Sequence, residues 1–333
     1  MTTTIALSFA YVAALALLPE VAAAAAAPAC HVHTLPEPPG AVESEVTAGD
    51  PSGEFLVGTA NGPDDSPADV MWGGGRPVVI PRHGVAQRLN AVNIHGAAVG
   101  SYVEEAGGAE FGFVYQDGQS TKLEPLRAGE SVVPLAINTR GDVVGTEFAT
   151  ASSRTVAVLW PAGGISAPRE LPVPGLNPAI PAGIDDDGTV ILGDTSEGEI
   201  GHAFVWRDGQ ASEMLSPEGK PTSVAAIRGG WVAGQSRTGP ADDAVGVRWQ
   251  LATGRAELIP PFWKPTAVNN SGTVALVRPS NQSVLAKADE TTVRLPGLQA
   301  GSTTEAHAVA NNGTAAGWAA VGSRGYAVEW TGC

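Results

Sequence analysis

The acidic run Asp185-Asp186-Asp187, closed by Gly188, puts three carboxylates in a row, the oxygen ligands that a calcium ion takes. The pair His31-x-His33 would set two imidazoles on one side of a strand, the first half of a zinc site. Neither pattern is completed. The segment around Asp185 recurs along the chain with Asn in place of Asp185, which makes it one of a series of solvated hairpin turns. The two histidines have no third ligand nearby in sequence and read as ordinary strand positions. There is no Gly-x-Ser-x-Gly elbow for a nucleophilic serine. The glycines fall at hairpin positions, not in a phosphate-cradling loop. Spacing therefore nominates no catalytic residue, no metal ligand and no cofactor.

Binding chemistry is better represented. "PRHGVAQR" carries Arg82, His83 and Arg88, and "PPFWKP" carries Trp263 between Phe262 and Lys264. Trp318 opens a further loop. Trp231, Trp263 and Trp318 stand outside the aromatic position of the repeat described below. Trp263 and Trp318 have two readings: an exposed stacking platform for a sugar or peptide, or partly buried loop anchors. Binding residues concentrate on loops held by a rigid scaffold, so the elements that would hold these loops come next.

The chain repeats itself. "AINTRGDVVG" (Ala136 to Gly145) and "AVNIHGAAVG" (Ala91 to Gly100) share a small residue, an Asn, a Gly three residues on, and an apolar run to a second Gly. The pattern returns seven times, anchored at Ala48, Ala91, Ala136, Gly183, Ala225, Ala267 and Ala308, with units starting near 46, 89, 134, 181, 223, 265 and 306. Each unit continues with an alternating segment ending in a large aromatic, as in "HAFVW" to Trp206, and a short strand ending in Leu or Ile and often Pro. In the sixth, Lys287 replaces the aromatic and Leu276 replaces the second Gly, the mark of a degenerate unit. Asn or Asp followed by Gly caps a tight turn, and alternation with apolar residues on both faces describes a strand covered on both sides. Each unit is thus a four-stranded antiparallel meander that cannot bury its two faces alone. Seven of them arranged radially bury every face against a neighbour. The expected fold is all-β: a seven-bladed β-propeller. A linear stack is the rival, and it would need end caps that are not visible.

The seventh unit lacks a fourth strand, and "HVHTLP" near the N-terminus has the shape of one. Strand 31–36 is therefore expected to complete the last blade, which sets Cys30 beside Cys333 and predicts a disulfide in an oxidising compartment. Before Cys30, the 14-residue apolar run "IALSFAYVAALALL" is too short to span a bilayer and leads into "VAAAAAAPA". Residues 1–29 read as a secretory signal peptide, although "MTTT" carries no basic residue; a lipidated Cys30 and an uncleaved anchor are the alternatives. Residues 30–333 form one propeller domain, secreted, monomeric and not inserted in a membrane after processing. A net charge of −15 disfavours nucleic acid and anionic lipid surfaces as partners.

The pairing of "AINTRGDVVG" with "GHAFVWRDG", including the literal His202-Ala203-Phe204, resembles the HAF-repeat family of probable extracellular bacterial proteins. The resemblance spans roughly 46–333. It implies secretion and a propeller-like fold, and it implies no catalytic residues. The function expected is non-catalytic binding of a protein or polysaccharide through the loop face. The alternative is a polysaccharide lyase or hydrolase, which would need two carboxylates, or a His with an Arg or Tyr, converging on the central pocket.

Overall fold

The repeated Asn does what its type allows. In the third unit Asn138 Oδ1 accepts the Asp142 N–H at 2.9 Å, and in the sixth Asn269 Oδ1 accepts those of Ser271 and Thr273 at 3.0 Å. In these units the side chain caps the hairpin between the first and second strands; the fifth unit carries Arg228 at this position and the seventh Ala310. The third and fourth strands follow antiparallel, as in Ser131–Ile137, Val143–Phe148, Thr155–Trp160 and Arg169–Glu170. The computed structural model describes residues 30–333 apart from 65, 150–153, 164–166, 174, 195–199, 239–242, 260–263 and 279–280. These residues form seven four-stranded antiparallel sheets in a ring, a β-propeller.

Burial explains the ring. Seven apolar clusters fill the seven gaps between neighbouring blades. One joins Val46, Val70 and Trp72 of blade 1 to Ala308, Ala316 and Ala327 of blade 7, and another joins Val57 and Ile80 of blade 1 to Leu89, Phe113 and Tyr115 of blade 2. In four blades the aromatic that ends the third strand also reaches a polar partner, whereas the buried indole N–H of Trp206 in blade 4 has none. The indole N–H groups of Trp72, Trp160, Trp249 and Trp330 donate to the carbonyls of Pro36, Glu124, Leu215 and Pro296 in the preceding blade, at 2.7–2.9 Å. The large side chain thus fills the gap while its one donor is satisfied.

Every first strand carries a β-bulge, an extra residue with no partner across the ladder. The register breaks between Val46 and Ala48, Leu89 and Ala91, Pro134 and Ala136, Pro181 and Gly183, Val224 and Ala226, Pro265 and Ala267, and Ala306 and Ala308. The bulge accounts for the second Gly of the repeat. A Cβ on Gly58 or Gly317 would collide with the carbonyl oxygen of Glu45 or Glu305. The fifth repeat is anchored at Ala226, one residue later than the sequence alignment has it, because its turn Arg228-Gly229-Gly230 is shorter by one. In the fourth, Leu192 rather than Gly193 faces the bulge.

The ring closes through the N-terminal strand. His31–Thr34 pairs antiparallel with Arg324–Thr331, His31 against Thr331 and Thr34 against Val328. The Leu35 N–H then donates to Ala327 O at 2.9 Å, the place that Leu123 takes on Gly112 and Leu295 on Ser283. Cys30 and Cys333 are joined by a disulfide, Cα atoms 4.3 Å apart across a separation of 303 residues. Lys287, standing where the sixth blade would have its aromatic, donates to the Cys333 carbonyl at 2.7 Å, so the substitution ties blade 6 to the closing blade. Among the described residues no helix is long and apolar enough to cross a membrane.

Candidate functional site

The first strands of the blades are innermost, and the bulges aim their extra residues at the propeller axis. Thr47, Asn90, Leu135, Ala182, Ala225, Thr266 and His307 form a waist that lines both an upper vestibule of about 430 Å³ and a lower chamber of about 190 Å³. The waist has two halves. Blades 6, 7, 1 and 2 supply the polar Thr266, His307, Thr47 and Asn90, while blades 3, 4 and 5 supply Leu135, Ala182 and Ala225. Ile180 and Pro181 extend the apolar half in the vestibule.

The polar side chains are fixed by the wall. Asn90 Nδ2 donates to Pro134 O in the next blade at 2.7 Å. Thr266 Oγ1 donates to Ala306 O at 2.6 Å and Thr47 Oγ1 to Val57 O at 3.3 Å. His307 Nε2 lies 3.9 Å from Glu305 Oε1, too far for a hydrogen bond. Among the described residues His307 is the one titratable side chain lining the vestibule. Among the described residues, neither a pair of carboxylates nor a His beside an Arg or Tyr lines this cavity.

The lower chamber is different. Arg228 occupies the Asn position of the fifth repeat and lines the chamber with Asp50. Burial lowers the Arg228 pKa, and the charges of Asp186, Asp185 and Asp50 oppose that shift. Around this end the repeated Asn has a second duty that the turn alone does not reveal. Asn93 Nδ2 donates to Asn138 O, Asn138 Nδ2 to Asp185 O and Asn269 Nδ2 to Ala310 O, at 2.9–3.1 Å, so the side chain caps its own turn and staples the next blade.

The acidic triplet belongs to that staple. Asp185 is only 6% exposed, and its carboxylate accepts the N–H groups of Gly229 at 3.0 Å and Gly230 at 2.6 Å from blade 5. Asp186 accepts the Thr139 N–H and Asp187 pairs with Arg207. The expectation of a solvated turn fails for Asp185, because the next blade brings two amides against it. Among the described residues no group of three or more His, Cys, Asp and Glu is placed to hold a metal ion.

The binding residues nominated from sequence do not converge. Arg82 donates to the carbonyls of Pro67 and Val85, fastening the connection from blade 1 to blade 2. His83 stacks within an aromatic group of Tyr102 and Phe113, ring centroids 5.4 and 5.7 Å away, and shares a 2.7 Å hydrogen bond with Ser120. Arg88 is paired with Glu110 at 2.7 Å. Trp263, with Phe262, lies outside the described residues. Trp318 sits inside the strand Ala315–Val321 rather than opening a loop, because pairing continues to Val321 against Arg324 around a tight Gly322-Ser323 turn. It lines a separate cleft of about 280 Å³ with Glu43, Glu45, Thr59, Asn61 and Ser323.

Two features were missed in the sequence. The waist residues sit immediately before the conserved-looking small residue of each repeat, and a bulge at that point was the signal to look for. The other is a buried carboxyl pair in blade 3. Glu147 is 0% exposed; its Oε2 accepts the N–H groups of Leu126 and Arg127, its Oε1 has no partner, and neither does Oε2 of the adjacent Glu130. Burial first and the neighbouring Glu130 carboxyl second push the Glu147 pKa up to about 7.

The likeness to known proteins is one of fold. No protein-family description matches the chain, and no curated sequence does either. An oligogalacturonate lyase solved with manganese is similar at a TM-score of 0.63 and 10% identity, over 92% of this chain and 94% of that one. The β-propeller domain of the Trilobed protease from Pyrococcus furiosus, with its open velcro topology, gives 0.59 and 10% over 87% and 96%. A puromycin-hydrolysing peptidase of Mycobacterium tuberculosis gives 0.58 and 13%, and this chain spans about half its length, 54%. At such identities the shared property is the β-propeller. Here that ring is fastened by a strand and a disulfide.

Proposed function

We propose that the chain is a secreted, non-catalytic propeller that binds a protein or polysaccharide ligand at the axial vestibule. The carrying observation is the waist: seven bulges turn one side chain per blade toward the axis, polar on one arc and apolar on the other. That is the lining of a binding pocket, mostly apolar with a few placed polar groups. Residues 30–333 act as one monomeric domain in this reading, released from a signal peptide at 1–29. The resemblance to the HAF-repeat family and the Cys30–Cys333 disulfide, a bond of oxidising compartments, support export. The lyase or hydrolase alternative receives less support, since the vestibule offers His307 without a second acid–base group.

The test is an array of glycans, cell-wall fractions and exported proteins probed with the purified chain and with Leu135→Lys, which fills the vestibule. Retention of one class by the parent and its loss in the variant is the expected result. Turnover of a polysaccharide by the parent would favour the enzymatic alternative, and undiminished retention by Leu135→Lys would remove the vestibule from the function.

A further inference from the structure

We propose that the lower end of the axis is a binding site for a small carboxylate, with Arg228 as the residue that holds the anion. The site lies at the opposite end of the channel from the vestibule and goes beyond the function proposed there. The turn position that carries Asn or Asp in five of the repeats is Ala310 in the seventh and Arg228 in the fifth. Arg228 alone puts a long cation at this end of the axis. The charges that act on it are those of Asp186 and Asp185 in blade 4 and of Asp50 in blade 1. Blade 1 does not adjoin blade 5 in the ring. A side chain of blade 5 that senses Asp50 has therefore left its own wall and extends over the axis, where it lines the lower chamber of about 190 Å³.

The guanidinium is unpartnered. Among the described residues none gives it a hydrogen bond or an ion pair. The carboxylates around it are bonded to main-chain amides instead. Asp50 accepts the N–H groups of Ser52 at 2.7 Å and Phe55 at 2.8 Å. Asp185 accepts those of Asp186, Gly229 and Gly230, and Asp186 accepts that of Thr139. These aspartates offset the charge of Arg228 from a distance and leave its five N–H donors open. A partly desolvated cation with open donors on a cavity is completed by an acceptor brought from outside. A carboxylate meets the planar fork with two parallel charge-assisted bonds. The same three aspartates repel a phosphate dianion about twice as strongly as a monoanion, because Coulomb energy scales with charge. Thr47, Asn90, Thr266 and His307 stand at the waist end of the chamber and exclude nothing, so selectivity rests on Arg228. Most of the remaining wall is apolar, with Ile137, Ile184, Ile227 and Val268, which suits an acid with a short apolar body.

An NMR titration of the disulfide-bonded chain with butyrate, butanol and butylammonium, read at the Arg228 Nε–H resonance, tests this. Butyrate is expected to shift that resonance and to bind at least about tenfold more tightly than the other two. Phosphate should bind more weakly than butyrate. Arg228→Met should weaken butyrate about tenfold or more, with a thermal melt to show that the ring is intact. Asp186→Asn keeps an oxygen for the Thr139 N–H and removes an opposing charge from an exposed position. It should tighten butyrate about two- to fivefold, a gain that a damaged fold does not produce. Peptides with a free or an amidated C-terminus then identify the source. A free C-terminus that outbinds butyrate assigns the carboxylate to a partner chain, and one that does not bind assigns it to a small free acid; either result supports the site. Butanol equal to butyrate, butyrate binding unchanged in an intact Arg228→Met, or weaker binding in Asp186→Asn overturns the proposal. Phosphate tighter than butyrate overturns the choice of carboxylate.

Discussion

Glu147 shows how a single side chain ties stability to pH. Its folded-state pKa, about 7, lies above the ordinary Glu value, so the folded chain holds a proton that the unfolded chain releases earlier. Below pH ~4.3 both states are protonated and nothing is lost. As the pH rises from there to about 7 the unfolded state is progressively favoured, and stability falls. Thermal melts between pH 4 and 8 should show this decline, and Glu147→Gln should flatten it; a decline unchanged in the variant would place its source elsewhere. Gly58 makes a steric prediction at the same scale. Gly58→Ala forces a Cβ into the Glu45 carbonyl and is expected to cost about 3 kcal/mol in urea unfolding. Ala at Gly246, where the nearest atom would lie 3.3 Å from the new Cβ, should cost much less. Asp185 shows why residue type alone misled: Asp in an Asn-type turn looks solvated, and only the arrival of Gly229 and Gly230 from the next blade buries it.

At the scale of the element, the repeat is legible because its apolar alternation, capped turns and terminal aromatic are local, and each has one physical meaning. The blade boundaries, the closing strand and the Cys30–Cys333 pair follow from counting strands. The waist was not legible in the same way. Bulged residues are Thr, Asn, Leu, Ala, Ala, Thr and His in turn, so self-alignment treats the position as variable, although geometry makes it the most uniform in the molecule. The indole latch between blades is a further element-scale device. Trp160→Phe keeps the buried ring and orphans the Glu124 carbonyl, for an expected loss of about 1–3 kcal/mol. If unfolding of Trp160→Phe matches the parent within error, the interblade hydrogen bond contributes nothing and apolar packing alone holds blades 2 and 3 together.

For the whole molecule, everything at the axis depends on the ring being shut. A disulfide spanning 303 residues constrains the unfolded chain by up to about 5–6 kcal/mol in the loop-entropy picture, as much as many domains hold in total. Cys30→Ala with Cys333→Ala should therefore lower the unfolding free energy by several kcal/mol while leaving the sheet order unchanged, since His31–Thr34 still pairs with Arg324–Thr331.

Amide hydrogen exchange of the oxidised chain tests the closure most directly. The amides paired between His31–Thr34 and Arg324–Thr331, with Leu35 on Ala327, should exchange as slowly as those in the interior ladders of blades 1 to 6. Exchange of residues 31–35 at the rate of an unstructured peptide would mean an open ring, and with it no waist and no vestibule.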